Sequence, residues 1–180
     1  ATLLYFRRSD EEPITPENTN KPYGESPVST AMGAYFNKKA YTDPTLRRKY
    51  TRMGFWVNIR LIRYPDVLLM AAESANEKGL MGEASGYLEQ VRAHARGTLT
   101  NVLPKVESLD QSVLREAIRH ERRVELGLEP DRFYDLVRWG IAQEVLQAAG
   151  KNYQPKNALL PLPQTEIDKS NGVLVQNPDY

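Results

Sequence analysis

The stretch Glu121-Arg-Arg-Val-Glu-Leu-Gly-Leu-Glu-Pro-Asp-Arg-Phe-Tyr-Asp-Leu-Val-Arg-Trp-Gly140 is the most informative part of this chain. Charged and large apolar residues alternate there more densely than in an ordinary solvated helix. Glu121 and Glu125 fall on one face of a helix, and arginine–carboxylate pairs can be partly buried because each partner satisfies the other's hydrogen bonds. The stretch therefore predicts helices held by ion pairs. The predicted structural ion-pair cluster consists of Glu121, Arg122, Arg123, Glu125, Arg132, Asp135 and Arg138.

A helical hairpin is predicted upstream of this stretch. Pro65 suits the first turn of a helix, and Asp66 there interacts favourably with the helix dipole. That helix is apolar on most sides, which predicts that it is buried, and Gly79 is a natural end for it. A second helix is expected over 83–96, closed by Gly97. Because the connection is short, the two helices should pack antiparallel as an αα-hairpin.

A third helix is predicted from Leu109 to Leu126, with Ser108 and Gln111 at the spacing of a capping box. Gly127 should end it. Two short helices are expected over 131–139 and 141–149. The predicted inner side of the third helix consists of Val113, Leu114, Ala117, Ile118, Glu121 and Val124.

Prolines gather near both ends of the 180-residue chain, which fits one domain by its length. The prediction is a mainly α fold with a single domain over 1–180. Residues 1–62 should be loop-rich with short extended pieces, residues 63–150 helical, and residues 151–180 an extended tail.

Composition excludes several classes of function. A net charge of +1 provides no field to attract nucleic acid. The chain has no cysteine and therefore no disulfide or thiolate metal site. No apolar run approaches the length of about 20 residues that spans a membrane. The sequence starts without Met or a secretion signal, so we expect a fragment of a larger chain, with any signal and lipidated cysteine upstream.

The titratable residues do not form a recognisable catalytic or metal motif. His120-Glu121 is the start of a His-Glu-x-x-His zinc pattern, but position 124 is Val124. No metal or other cofactor is expected. Glu121 or Glu125 could serve a hydrolase, which needs two carboxylates in separated environments, but the surrounding arginines favour ion pairing.

Aromatic residues are the remaining chemical signal. They cluster in the loop-rich first third, and loops on a rigid support are where binding residues usually lie. Aromatic faces can stack on sugar rings, although aromatics in loops also pack those loops onto a core. The candidate ligand-binding residues are Tyr23, Tyr41, Tyr50 and Trp56.

Three segments taken in order resemble a known family. They are Arg63-Tyr-Pro-Asp-Val-Leu-Leu-Met-Ala-Ala-Glu73, the stretch 121–140, and Leu159-Leu-Pro-Leu-Pro-Gln-Thr-Glu-Ile-Asp168 with Gln176-Asn-Pro-Asp-Tyr180. Together they are similar to the C-terminal half of SusD/RagB-type proteins, which are outer-membrane nutrient-binding lipoproteins of Bacteroidetes. Two positions depart from the pattern, because Pro130 and Asp179 stand where the family often has glycine.

The resemblance implies a function as well as a fold. It implies a tetratricopeptide-like helical scaffold with long loops, no enzymatic activity and no cofactor. The implied role is to bind an oligosaccharide or polysaccharide, or a peptide in the RagB branch, and deliver it to a SusC-like TonB-dependent transporter. Attachment to the outer membrane would be through a lipid anchor alone. A helical protein-interaction scaffold without a small ligand stays open as an alternative, and so does a hydrolase.

Overall fold

A computed structural model of the chain describes residues 3–5, 35–37, 39, 60–99 and 101–180. Most of these residues are helical, so the prediction of a mainly α fold is confirmed. The chain divides into two compact units, one ending at Leu128 and one running from Glu129 to Tyr180. Each unit has its own cluster of buried apolar side chains.

Within its described residues, the first unit contains a short antiparallel ribbon and three helices. Strand β1 (Leu3–Tyr5) pairs with strand β2 (Tyr35–Asn37), with Leu4 opposite Phe36. The helices are α1 (Tyr64–Glu77), α2 (Met81–Arg96) and α3 (Gln111–Glu125).

Helices α1 and α2 form the predicted hairpin. Gly79 adopts a φ of +78°, and the amide of Leu80 donates to the carbonyl of Ala75 over 2.9 Å. Glycine reaches such a left-handed conformation at little steric cost, which explains why the helix ends here. Leu69 and Leu88 are almost completely buried between the helices. One face of α1 is nevertheless open, so the expectation that this helix is buried on most sides is wrong for that face.

Helix α3 closes the core of the first unit, but two details of its prediction are wrong. Asp110, not Ser108, is the N-cap, and its Oδ1 accepts hydrogen bonds from the amides of Ser112 (2.9 Å) and Val113 (3.0 Å). Val113 and Val124 were expected to face inward, yet they are 48% and 51% exposed. Glu121, which was expected on the inner side, is buried there, and Arg122 lies beside it.

The second unit contains helices α4 (Asp131–Arg138), α5 (Ala142–Ala148) and α6 (Gln164–Lys169), with a 3-10 helix at Pro155–Ala158. Its buried centre is formed by Leu136, Ala142 and Tyr153. The expectation of an extended tail over 151–180 is wrong where the 3-10 helix and α6 occur. Pro155 begins the 3-10 helix and Pro163 directly precedes α6, positions where a missing N–H costs nothing, so these prolines did not prevent helix formation.

Candidate functional site

Helix α3 is joined to both helices of the hairpin by buried ion pairs. Glu121 Oε2 lies 2.7 Å from Arg92 Nη1 on α2. Arg122 Nη1 lies 2.9 Å from Asp66 Oδ1 in the first turn of α1. The side chains of Glu121 and Arg122 are each only 4% exposed, and charges so deeply buried require a partner. These two pairs therefore fix α3 against α1 and α2.

The C-terminal end of α3 is held by two further cations. Arg63 Nη2 lies 2.9 Å from Glu125 Oε1 and donates to the carbonyl of Glu125 over 3.1 Å. Lys39 Nζ donates to that same carbonyl and, over 3.2 Å, to the carbonyl of Gly127. Cations are favourable at this end because the last carbonyls of a helix carry partial negative charge. Neither Lys39 nor Arg63 was expected here.

Arg123 requires a correction. It was placed in the ion-pair cluster and expected to be a buried charge, but it is exposed. Arg122 shares the inner face with Glu121, and position 123, turned by about a further 100° around the helix, lies at the surface. Arg63 and Asp66 belong to the segment 63–73, and they pair with Glu125 and Arg122 of the stretch 121–140. Two of the segments that carry the family resemblance therefore contact each other in the folded chain.

The second unit has a separate charged group on α4. Asp135 is buried, and its Oδ1 lies 2.8 Å from Nη2 of Arg138 and accepts from Nε over 2.9 Å. The guanidinium groups of Arg138 and Arg132 lie 4.9 and 5.8 Å from the ring centroid of Trp139. The seven predicted cluster residues are thus divided between two units.

Glu77 and Arg115 form an exposed link between α1 and α3, with guanidinium–carboxylate distances of 2.6 and 2.7 Å. The hydrogen bonds from Arg115 hold the pKa of Glu77 below its usual value, and the same contact raises the pKa of Arg115. The N-cap Asp110 also has a lowered pKa, because the hydroxyl of Ser112 and the amides of Val113 and Ser112 bind its carboxylate.

The two last segments that carry the resemblance, 159–168 and 176–180, contact each other in the second unit. Gln176 Oε1 accepts from the amide of Leu162 over 2.8 Å, and Gln176 Nε2 donates to the carbonyl of Leu162 over 2.9 Å. Asn177 Nδ2 donates to the carbonyl of Leu160 over 2.6 Å. The Gln-Asn pair therefore fixes the backbone of the Leu160–Pro163 loop.

Tyr180 fastens the last residues to the 3-10 helix. Its hydroxyl lies 3.0 Å from the carbonyl of Leu159, and it accepts from Asn157 Nδ2 over 3.2 Å. Lys156 Nζ donates to the carbonyl of Asp179 over 2.8 Å. Asp179, which stands where the resembling family often has glycine, adopts a φ of +66°. The left-handed backbone is therefore kept without glycine, and Asp is among the side chains that tolerate it.

A surface groove of about 430 Å³ lies along α2. The residues that line it include Gly82, Gly86, Ala93, Lys105 and Leu109. Its lining residues in the described part of the chain include no aromatic side chain.

The candidate ligand residues Tyr23, Tyr41, Tyr50 and Trp56 lie outside the described residues. Within the described ranges, no three His, Asp or Glu side chains are grouped to hold a metal ion. Glu121 and Glu125, the candidates for a hydrolase, are engaged by Arg92 and Arg63. In this same part of the chain, no helix is long and apolar enough to cross a membrane.

Comparison with known proteins agrees with the arrangement of these segments. A family model described as the SusD family matches residues 10–158, which is most of the chain. The chain belongs to the SusD family. Its fold agrees with a SusD homolog from Bacteroides thetaiotaomicron at a TM-score of 0.61 and 30% identity, over 74% of this chain and 30% of that one. A SusD-like protein from Bacteroides fragilis matches with a TM-score of 0.54 and 29% sequence identity. That match covers 66% of this chain and 25% of the other.

Curated SusD-family relatives are also similar in sequence. SusD-like protein P25 of Formosa agariphila is 39% identical over 81% of this chain, and SusD-like protein P2 of the same organism is 36% identical over 66%. The matched regions span 27% and 25% of those two relatives. The chain thus corresponds to about a quarter of the length of these SusD-like proteins.

Proposed function

We propose that this protein binds an oligosaccharide or polysaccharide without cleaving it and delivers it to a SusC-like TonB-dependent transporter. The observation that carries this proposal is the match of the SusD family model to residues 10–158. The helical bundle supports it, because paired helices fixed by buried ion pairs provide a rigid base for ligand-binding loops.

Binding would rest on stacking and hydrogen bonds in the loop-rich first third. We assign ligand contact to Tyr23, Tyr41, Tyr50 and Trp56, whose rings can cover the apolar faces of sugars. One stacking contact contributes about 0.5–1.5 kcal/mol beyond area burial, judging from aromatic pairs, so several are needed. Delivery requires moderate affinity, since tighter complexes usually dissociate more slowly.

The proposed cellular setting is the outer membrane, with the protein held at the cell surface by a lipid on an upstream cysteine. Contact with the membrane would be through that anchor alone, and the transporter would be a separate protein partner. Nucleic acid is not a proposed partner, because the net charge of +1 offers little attraction to phosphates.

A binding screen of the protein in its full natural length tests the proposal. The probes are maltoheptaose, laminarin, xylan, polygalacturonic acid and a mixed tryptic peptide digest. Saturable binding of a glycan without release of reducing sugar supports glycan capture. Binding of peptides alone would favour the RagB-like alternative, in which the ligand is a peptide. Failure of every probe to bind would contradict both glycan capture and peptide capture.

Variants then locate the binding site. Tyr41→Ala and Trp56→Ala should each lower the affinity for the glycan by about three- to tenfold, which is the loss expected for one stacking contact. Tyr134→Ala is the control, because Tyr134 is exposed on α4 and is not part of the loop-rich first third of the sequence. Unchanged affinity in calorimetry for both loop variants would remove these two residues from the site.

The second candidate function is a helical scaffold that binds only another protein. The hairpin of α1 and α2 favours it, since Tyr64, Val67 and Met70 leave apolar surface open on α1. Binding to a SusC-like barrel in the absence of any glycan or peptide binding would support this candidate over glycan capture.

A further inference from the structure

The turn after α6 contains the chain's one asparagine that is followed by glycine, the pair Asn171-Gly172. Both residues are exposed, and both have a left-handed backbone, with φ values of +53° at Asn171 and +84° at Gly172. Asparagine and glycine adopt this conformation at lower steric cost than most residues. The tight turn between α6 and the segment 173–177 therefore accounts for these two residue types.

Two groups of this turn that can react with each other make no hydrogen bond with the described residues. The backbone amide of Gly172 has no acceptor there, although the amides of Asn171 and Val173 on either side of it bind carbonyls of the preceding turn. The side-chain amide of Asn171 is likewise unbonded. The space beside Gly172 is open, because a Cβ placed on it would have no heavy atom of the described residues within 4 Å. Solvent therefore reaches both groups.

Two other asparagines of the second unit lack this arrangement. Asn152 is exposed, but the next amide belongs to the buried Tyr153 and donates to a backbone carbonyl over 2.9 Å. Asn177 is followed by Pro178, whose nitrogen carries no hydrogen. The chain thus contains its own controls for the reactivity of an asparagine side chain toward the following backbone nitrogen.

We propose that Asn171 is a site of spontaneous deamidation, at which the backbone nitrogen of Gly172 attacks the side-chain carbonyl carbon of Asn171. The new C–N bond closes a succinimide ring, and the side-chain nitrogen leaves as ammonia with the proton that the Gly172 nitrogen gives up. Water then opens the ring. Addition of water at the former side-chain carbonyl gives aspartate. Addition at the backbone carbonyl gives isoaspartate, in which the main chain runs through the Cβ and Cγ atoms.

Isoaspartate would change how the segment 173–177 is held, because the main chain becomes one methylene group longer. Gln176 makes two hydrogen bonds with the backbone of Leu162, and Asn177 binds the carbonyl of Leu160. These contacts depend on the position that the turn gives to Gln176 and Asn177. The loop 160–163 should therefore open more easily in the isoaspartate form. It should be unaffected in the aspartate form, whose backbone keeps its length.

The test is incubation of the folded protein in its full natural length at mildly alkaline pH, where a backbone amide loses its proton more readily. Cleavage by trypsin after Lys169 places Asn171 and Asn177 in one peptide, and mass spectrometry of its fragments measures the loss of each amide. Labelling by protein isoaspartyl methyltransferase identifies isoaspartate. Gly172→Ala adds a methyl group beside the attacking nitrogen. Asn171→Asp carries the charge of the product on a backbone of unchanged length.

Asn171 should lose its amide while Asn152 and Asn177 stay largely intact, and the loss should be faster at higher pH. Gly172→Ala should slow it, and because a positive φ strains alanine, the urea midpoint of this variant checks that it is folded. Hydrogen exchange at the amide of Leu162 should be about three- to tenfold faster in the isoaspartate form, as expected for the loss of one hydrogen bond. In Asn171→Asp this exchange should match that of the unmodified protein.

Three results would overturn the inference in different ways. An intact Asn171 in the folded protein would remove the site, and loss of its amide only in urea would show that the turn protects it. Deamidation with unchanged exchange at Leu162 in the isoaspartate form would leave the site without an effect on the loop 160–163. Equally fast exchange in Asn171→Asp would assign that effect to the new charge instead of the longer backbone.

Discussion

Two neighbouring arginines on α3 differ in the stability that each contributes, because only one is buried. Arg122 is 4% exposed and pairs with Asp66, whereas Arg123 lies at the surface. Arg122→Met should lower the free energy of unfolding by about 3–5 kcal/mol, since the carboxylate of Asp66 would stay buried without its partner. Urea denaturation measures this change.

The control variant and a double variant separate pairing from simple burial. Arg123→Met should change the unfolding free energy by less than about 0.5 kcal/mol, as is usual at the surface. Combining Arg122→Met with Asp66→Leu should cost much less than Arg122→Met alone, because no unpaired charge then remains. Equal losses for the single and double variants would show that the ion pair is not the source of the effect.

Asp110 gives the stability of the first unit a defined pH dependence. Hydrogen bonds from Ser112 and Val113 hold its folded-state pKa below the ordinary 3.8. A lowered folded pKa adds stability above the unfolded value, and that stability is lost as the pH falls through the folded pKa. Asp110→Asn keeps a capping side chain but has no charge to titrate.

The wild type should therefore exceed Asp110→Asn in urea midpoint at about pH 6, and the difference should shrink toward zero as the pH falls below the folded pKa. Urea midpoints of both proteins, measured at intervals from about pH 6 down to below the folded-state pKa of Asp110, test this prediction. A difference that stayed constant over the whole range would mean that the charge of Asp110 does not contribute to the cap.

At the scale of the helix, α3 contributes to the core through a narrow inner face. Leu114 is completely buried in the cluster of the first unit, while the adjacent Val113 is 48% exposed. Leu114→Ala should cost about 2–5 kcal/mol through lost burial and a cavity. Val113→Ala should change stability by less than about 0.5 kcal/mol, as at other surface positions. Similar losses for both in urea denaturation would contradict the observed orientation of α3.

The face of α3 also shows where sequence reasoning succeeds and where it stops. Apolar spacing predicted Leu114 and Ile118 inside correctly, because these residues have no favourable alternative to burial. Val113 and Val124 were predicted inside as well but lie outside, whereas Glu121 was predicted inside correctly, and the adjacent Arg122 shares the inner face near the end of the helix. Burial of a charge depends on a partner from another helix, and the identity of that partner is not visible in local periodicity.

The same limit applies to the ends of the helices. The spacing of Ser108 and Gln111 predicted a capping box with Ser108 as the cap. The carboxylate of Asp110, two residues after Ser108, binds the free amides of α3 instead. Both residues are good caps, so the choice depends on how the preceding loop enters the helix. Lys39 was missed for a related reason, because its two acceptors lie more than 80 residues away in sequence.

Across the whole molecule, the three signature segments have two different structural roles. Arg63 and Asp66 of the first segment bind Glu125 and Arg122 of the second, which fixes the first unit. The closing segment instead binds itself, through Gln176 and Leu162, and fixes part of the second unit. A family resemblance carried by these segments therefore specifies the scaffold much better than it specifies the ligand.

Tyr180 provides a test of how the closing segment is held. Tyr180→Phe keeps the ring near Lys156 but removes the hydroxyl that lies 3.0 Å from the carbonyl of Leu159. The free energy of local opening of residues 155–163 should fall by about 0.5–1.5 kcal/mol, the net value of one hydrogen bond. Hydrogen exchange of the amides in this range measures the change. Tyr134→Phe is the control, because Tyr134 is 64% exposed in the same unit. Equal exchange at residues 155–163 in both variants would mean that the Gln176 and Asn177 contacts hold the loop without help from Tyr180.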